Sequence, residues 1–259
     1  MQLAIAADVS SQEKITEILR DAREQGIDAY FLPSPKELAD ANAEAIVDDA
    51  LSDWKFLGYY EALGDGGYSL LGAEAQRQYG RERLKRLCIN AHDKNGSVIL
   101  LGGKNARKIE FRATTSELHA RIADFFDSVI PIFESRNIRL IIDALDAHDV
   151  IKHYCLTRVT DILRFLEYYR HPLFRVGIRM SQLLSINFTE EFLFERLMPY
   201  LSVVIFDDFT LPKDDNITCQ LRIFRNLYRE IILLTRNPQP QEQYRRGEVT
   251  EKFRLFMEM

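Results

Sequence analysis

Asn137-Ile138-Arg139-Leu140-Ile141-Ile142-Asp143 is a short apolar run that ends in a carboxylate. It follows a helical pattern that starts near Thr115 and continues to Arg136, and a second helical pattern follows it over 156–169. A short apolar run between two such patterns reads as a strand inside a repeated strand–helix unit. Working outward, the same unit recurs along the chain. Strands are predicted over 3–7, 27–32, 54–60, 97–103, 138–143, 175–180, 201–206 and 231–235. Helices are predicted from the capping-box spacing Ser10-Ser11-Gln12-Glu13 to Gly26, from Pro35 to about Leu51, and over 73–91. Further helices are predicted over 115–136, 156–169, 189–197, 221–229 and 248–257. Strands separated by helices favour parallel connections. Eight units in 259 residues point to an α/β fold of the (β/α)8 TIM-barrel type, with a doubly wound sheet as the rival. No charge block, low-complexity stretch or linker interrupts the pattern, so residues 1–259 are expected to form a single domain.

The composition agrees. Hydrophobic residues make up 46% and charged residues 28%, which is ordinary for a globular chain able to bury a core. Lys and Arg number 34 against 39 Asp and Glu, a net charge of −5. That balance argues against nucleic acid as the main partner. Cys88, Cys155 and Cys219 are an odd, scattered set. They form neither a disulfide framework nor a zinc site, and they suggest a reducing, cytoplasmic compartment. No apolar run approaches the ~18 residues of a membrane span. The start, Met1 to Asp8, has no basic region and reads as the first strand.

In a (β/α)8 barrel, functional groups sit at the carboxyl ends of the strands. That rule selects Tyr60 and Glu61 after the third strand, Lys104 after the fourth and Asp143 at the end of the fifth. Arg179 ends the sixth strand, Asp208 follows the seventh and Arg236 follows the eighth. Asp143, Glu61 and Asp208 are the candidate acid/base groups. Lys104, Arg179 and Arg236, with Tyr60, are the candidate substrate contacts, since cationic side chains match phosphate or carboxylate oxygens. The competing reading is that each is an ordinary loop residue at a strand end. Gly64-Asp65-Gly66-Gly67 lacks a phosphate-loop spacing and reads as a lid or a plain turn. The histidines do not have the spacing of a helical metal pair.

The order of segments is similar to the xylose isomerase-like TIM-barrel superfamily, which includes sugar phosphate isomerases and epimerases and endonuclease IV-like enzymes. The passages that carry the resemblance are Gly96-Ser97-Val98-Ile99-Leu100-Leu101-Gly102-Gly103, the run into Asp143, Arg175-Val176-Gly177-Ile178-Arg179-Met180-Ser181, and 201–208. The resemblance implies a divalent metal that polarises a hydroxyketone while carboxylates move a proton between neighbouring carbons. The matched ligand positions depart from that pattern. The fifth-strand Glu falls on Asp143 and a later carboxylate on Asp208, but the others fall on Phe31, Ser181, Leu184, Ile205 and near Thr235. No cofactor is therefore expected with confidence, and a divalent metal (Mn, Mg or Zn) is poorly supported. The expected function is a divergent isomerase or epimerase that acts on or binds a small anionic, phosphorylated or carboxylated, sugar-like molecule. The alternative is a non-catalytic barrel for binding or assembly, its mouth plugged by Phe31, Ile205 and Phe206. An endonuclease-like activity is disfavoured by charge, and a homo-oligomer is left open.

Overall fold

The computed structural model describes residues 2–6, 23, 27–34, 52–64, 66–145, 153–180, 192–206, 224, 228 and 230–234. Its strands are β1 (Gln2–Ala6), β2 (Ala29–Pro33), β3 (Lys55–Tyr60) and β4 (Val98–Leu100). They continue with β5 (Arg139–Asp143), β6 (Phe174–Arg179), β7 (Leu201–Phe206) and β8 (Ile231–Leu234). Each strand pairs in parallel with the next in the chain. β1 also pairs in parallel with β8, from Gln2 opposite Ile231 to Ile5 opposite Leu234, so the ring of pairs closes. This is an α/β fold whose parallel sheet curls as in a TIM barrel.

Alternation along the strands divides the core in two. Ala4, Ala29, Phe31, Leu57, Val98, Leu100, Ile141, Val203, Ile205 and Ile231 fill the interior of the ring. Leu140, Ile142, Phe174, Val176, Ile178, Val204 and Phe206 face the other way, into the layer shared with the helices. Phe206 therefore does not plug the mouth, because its register puts it outside. At β3 the register slips by one residue opposite Tyr30 and Phe31. Gly58 makes the slip feasible: its φ is +154° and a Cβ there would lie 1.6 Å from the Val98 carbonyl oxygen. After the slip Tyr60, not Tyr59, packs against the interior cluster.

The described helices are α1 (Glu74–Asp93), α2 (Thr115–Asp127), α3 (Ile130–Arg136) and α4 (Val159–Tyr168). Two sequence expectations change. The single helix over 115–136 is two helices, because Pro131 sits in the first turn of α3 and cannot continue a helix from α2. The helix expected from Leu156 begins at Val159, because Leu156 holds φ +51°. Phe192–Leu197 forms a π-helical turn where the end of a helix was expected. The helices expected over 35–51 and 248–257 lie outside the described residues; of 10–26 only Arg23 is described, in a helix, and of 221–229 only Phe224 and Tyr228. Among the described residues no helix is long and apolar enough to cross a membrane.

Candidate functional site

Asp143 ends β5 two residues after Ile141, which faces the interior, so its side chain lies on the same inward face. Gly177, its register partner on β6, leaves room for it: a Cβ at Gly177 would lie 3.2 Å from the Asp143 Cβ. The Gly102 N–H donates to Asp143 Oδ1 at 2.7 Å, and Arg107 Nη2 donates to the same oxygen at 3.0 Å. Oδ2 accepts no hydrogen bond among the described residues, and the side chain keeps 7% of its surface open.

Arg107 is fully buried. It follows β4 in a short 3-10 turn, Asn105–Arg107. Besides Asp143 Oδ1, it donates to the Gly102 carbonyl through Nε at 3.1 Å and Nη2 at 2.9 Å. Its Nη1 donates to the carbonyls of Asp143 at 2.6 Å and Leu156 at 2.8 Å. One guanidinium thus ties the loop after β4, the end of β5 and the loop after β5.

The surrounding backbone is shaped to allow this. Glu61 turns the chain after β3 with φ +53°. Ala62 and Leu63 then donate to Leu100 and Leu101 at 3.0 and 2.8 Å, which brings the two loops together. Gly102 and Gly103 hold φ +56° and +70°, and Cβ atoms there would lie 2.4 Å from the Glu61 Cα and 1.9 Å from the Leu63 carbonyl oxygen. Only glycine tolerates both the conformation and the approach. On the other side the loops after β4 and β5 pair through Lys108 and Tyr154. Cys155 N–H donates to the Arg107 carbonyl at 2.8 Å, and Ile109 N–H to that of His153 at 2.6 Å.

The structure places five of the predicted residues at the carboxyl end of the barrel: Tyr60, Glu61, Lys104, Asp143 and Arg179. Glu61 and Asp143 both flank Gly102. Lys104 precedes the 3-10 turn, with its Nζ 5.8 Å from the centre of the Tyr154 ring. Arg179 is half-buried and falls on the inward positions of β6, since Phe174, Val176 and Ile178 face outward. Asp208 and Arg236 lie outside the described residues. Glu61–Gly64 forms a turn at the start of the Gly-rich segment, in which Gly64 N–H donates to the Glu61 carbonyl at 3.0 Å; Asp65 lies outside the described residues.

Among the described residues no three His, Cys, Asp or Glu side chains gather in metal-binding geometry. The described positions that the resemblance matches to ligands do not fit one either. Phe31 and Ile205 are buried interior side chains without a donor atom, and Asp143 is tied to Arg107. Ser181 and Leu184 lie outside the described residues. Burial pushes the Cys88 and Cys155 thiols up to about 12, so neither is a thiolate nucleophile near neutrality.

Positional reasoning selected Asp143 and passed over Arg107, its partner in the structure. In sequence, Lys104-Asn105-Ala106-Arg107-Lys108 is a basic loop. The only signal in it is the preceding Gly102-Gly103 pair, which marks a place where another segment comes close.

No protein-family model and no curated protein matches the chain. Solved structures do. A D-psicose 3-epimerase, in the presence of D-fructose, superimposes with a TM-score of 0.70 at 13% identity, covering 100% of this chain and 97% of the other. The 3-keto-D-glucoside 4-epimerase from E. coli gives 0.71 at 11% identity, with 100% of both chains covered. A family 2 AP endonuclease from Brucella melitensis gives 0.70 at 13% identity, covering 99% and 98%. Enzymes of unlike chemistry share this framework, so at these identities the likeness establishes the TIM-barrel fold and leaves the reaction to the site.

Proposed function

We propose that the chain is a single (β/α)8 domain whose carboxyl-end mouth binds a small, anionic, sugar-like molecule and exchanges a proton at a carbon beside its carbonyl group. The observation that carries this reading is the inward carboxylate of Asp143, with one oxygen held and the other open. Oδ2 is placed to accept a substrate hydroxyl or to take a proton from carbon. Returning that proton to the other face gives an epimer; delivering it to the neighbouring carbon gives an isomer. Glu61 and Asp208 are the further acid/base candidates. Arg179, Lys104 and Arg236 supply the positive charge for a phosphate or carboxylate, and Tyr60 lines the wall. The likeness to sugar epimerases supports the substrate class, and no step is routed through a metal.

Solvent-deuterium exchange followed by proton NMR tests it. The protein is incubated in D2O with D-fructose, D-tagatose or D-fructose 6-phosphate, after chelator treatment and again with added Mn. Loss of the signal beside the carbonyl, abolished in Asp143→Asn, is the expected result. Exchange that requires Mn would show that the donor set has been misread.

A second reading has its own observation: Phe31 and Ile205 fill the barrel beneath the mouth. Apolar side chains in place of ligand atoms suit a non-catalytic binding barrel. Saturation-transfer NMR that detects one of these sugars bound, with no exchange, would favour it.

A further inference from the structure

Arg107 is placed as few arginines are. A guanidinium has five N–H donors, and all of them are used in five hydrogen bonds. The group is fully buried, so no water substitutes for a lost acceptor. Its planar fork leaves it one orientation that reaches Gly102, Asp143 and Leu156 together.

That orientation determines where the Asp143 carboxylate points. The two hydrogen bonds to Oδ1 come from Arg107 and from Gly102, whose own carbonyl Arg107 also grips. The carboxylate is held by one oxygen from one side, and rotation about its last torsion would break both bonds. Its other oxygen accepts no hydrogen bond among the described residues, on a side chain that stands on the inward face of β5. Backbone strain is concentrated around the same group: Glu61 and Leu156, neither of them glycine, hold φ +53° and +51°. Glu61 abuts Gly102, and Leu156 offers its carbonyl to Arg107. Such strain persists where surrounding contacts over-determine it.

We propose that Arg107 is a positioning residue, which aims the open oxygen of Asp143 into the barrel mouth. It touches no substrate itself. The role rests on the reading of the mouth as a sugar-like site. Lysine keeps the charge but lacks the fork, so Arg107→Lys separates aiming from neutralisation.

The test uses wild type, Arg107→Lys and Leu163→Ala, a buried position on α4 that serves as a control for lost stability. Deuterium exchange into D-fructose and D-fructose 6-phosphate gives kcat and KM, and the Gly102 amide proton reports its bond to Asp143 in nitrogen–proton correlation spectra. Arg107→Lys is expected to lose at least roughly 10-fold in kcat with KM changed less than about threefold. The Gly102 amide should move upfield, and Leu163→Ala should keep both. An unchanged kcat in Arg107→Lys, or an equal loss in the control, overturns the proposal. If the wild type exchanges no probe, the functional reading fails separately. The Gly102 amide then decides: a shift in Arg107→Lys supports positioning, and an unmoved resonance refutes it.

Discussion

Two sets of buried arginines hold parts of this molecule together differently. At the barrel mouth, Arg107 meets four backbone carbonyl contacts and one carboxylate that is itself buried. On the outer surface, Arg77 and Arg81 of α1 bridge to α2. Arg77 donates to Glu74 at 2.8 Å and to Asp124 at 2.5 Å, and Arg81 contacts the same two carboxylates. Those carboxylates are open: the side chains of Glu74 and Asp124 are 64% and 66% exposed. In the outer seam the acids can return to water if an arginine leaves. At the mouth the oxygen that Arg107 holds cannot. A charge pair stabilises little by existing, but removing one partner from a dry pair strands the other.

The strongest way to break this comparison is to delete both kinds of arginine. Arg107→Met should cost about 3–5 kcal/mol, because it leaves a buried carboxylate and three carbonyl groups without their donor. Urea unfolding measures it, and a loss below about 2 kcal/mol would mean that water reaches the Arg107 pocket beneath the mouth. Gly103→Ala comes next, at roughly 2–4 kcal/mol, from a disfavoured φ of +70° and the contact with the Leu63 carbonyl. The same unfolding series checks it, and an unchanged midpoint would refute the tight packing of the loops after β3 and β4.

Arg77→Met should cost less, about 1–2 kcal/mol, carried by its bonds to the Leu70 and Arg121 carbonyls. A loss equal to that of Arg107→Met would erase the distinction between the two regions. Acid sharpens it further. The hydrogen bond from Arg77 holds the Asp124 carboxyl below its ordinary 3.8. A lowered folded value contributes stability that is complete above the ordinary carboxylate range. It is lost as pH falls through that lowered value. Asp124→Asn should therefore lower the melting temperature slightly near neutrality and flatten its fall below about pH 4, where variant and wild type converge. The smallest effect is local. Thr114→Ala removes a cap in which Thr114 Oγ1 accepts from Glu117 N–H at 3.3 Å and Glu117 answers at 2.7 Å, and it should cost about 1 kcal/mol by thermal unfolding.

The contrast also explains what was legible beforehand. Strands announce themselves by apolar runs between helical patterns, so all eight were placed within a few residues. Helix ends were harder where one residue decides them. Pro131 was visible but lay inside a pattern that stayed periodic across it, and the αL turn at Leu156 has no compositional mark. Asp143 was found by a positional rule, which asks only where a strand ends. Arg107 was not, because an arginine in a basic loop looks the same whether it ends in water or beneath the chain.

Sequence alone determined the α/β class, the order of strands and the end of the barrel where Tyr60, Glu61, Lys104, Asp143 and Arg179 gather. These follow from local periodicity and from the direction of parallel strands, which neighbouring residues encode. Only the tertiary structure decided that Phe31 and Ile205 fill the interior, that Phe206 faces outward, and that Asp143 is held through one oxygen by Arg107. Each of these depends on register and burial across segments distant in the chain; Arg107 and Asp143, for one, are 36 residues apart. Water is excluded from a side chain by the whole fold, and no short stretch of sequence records where that happens.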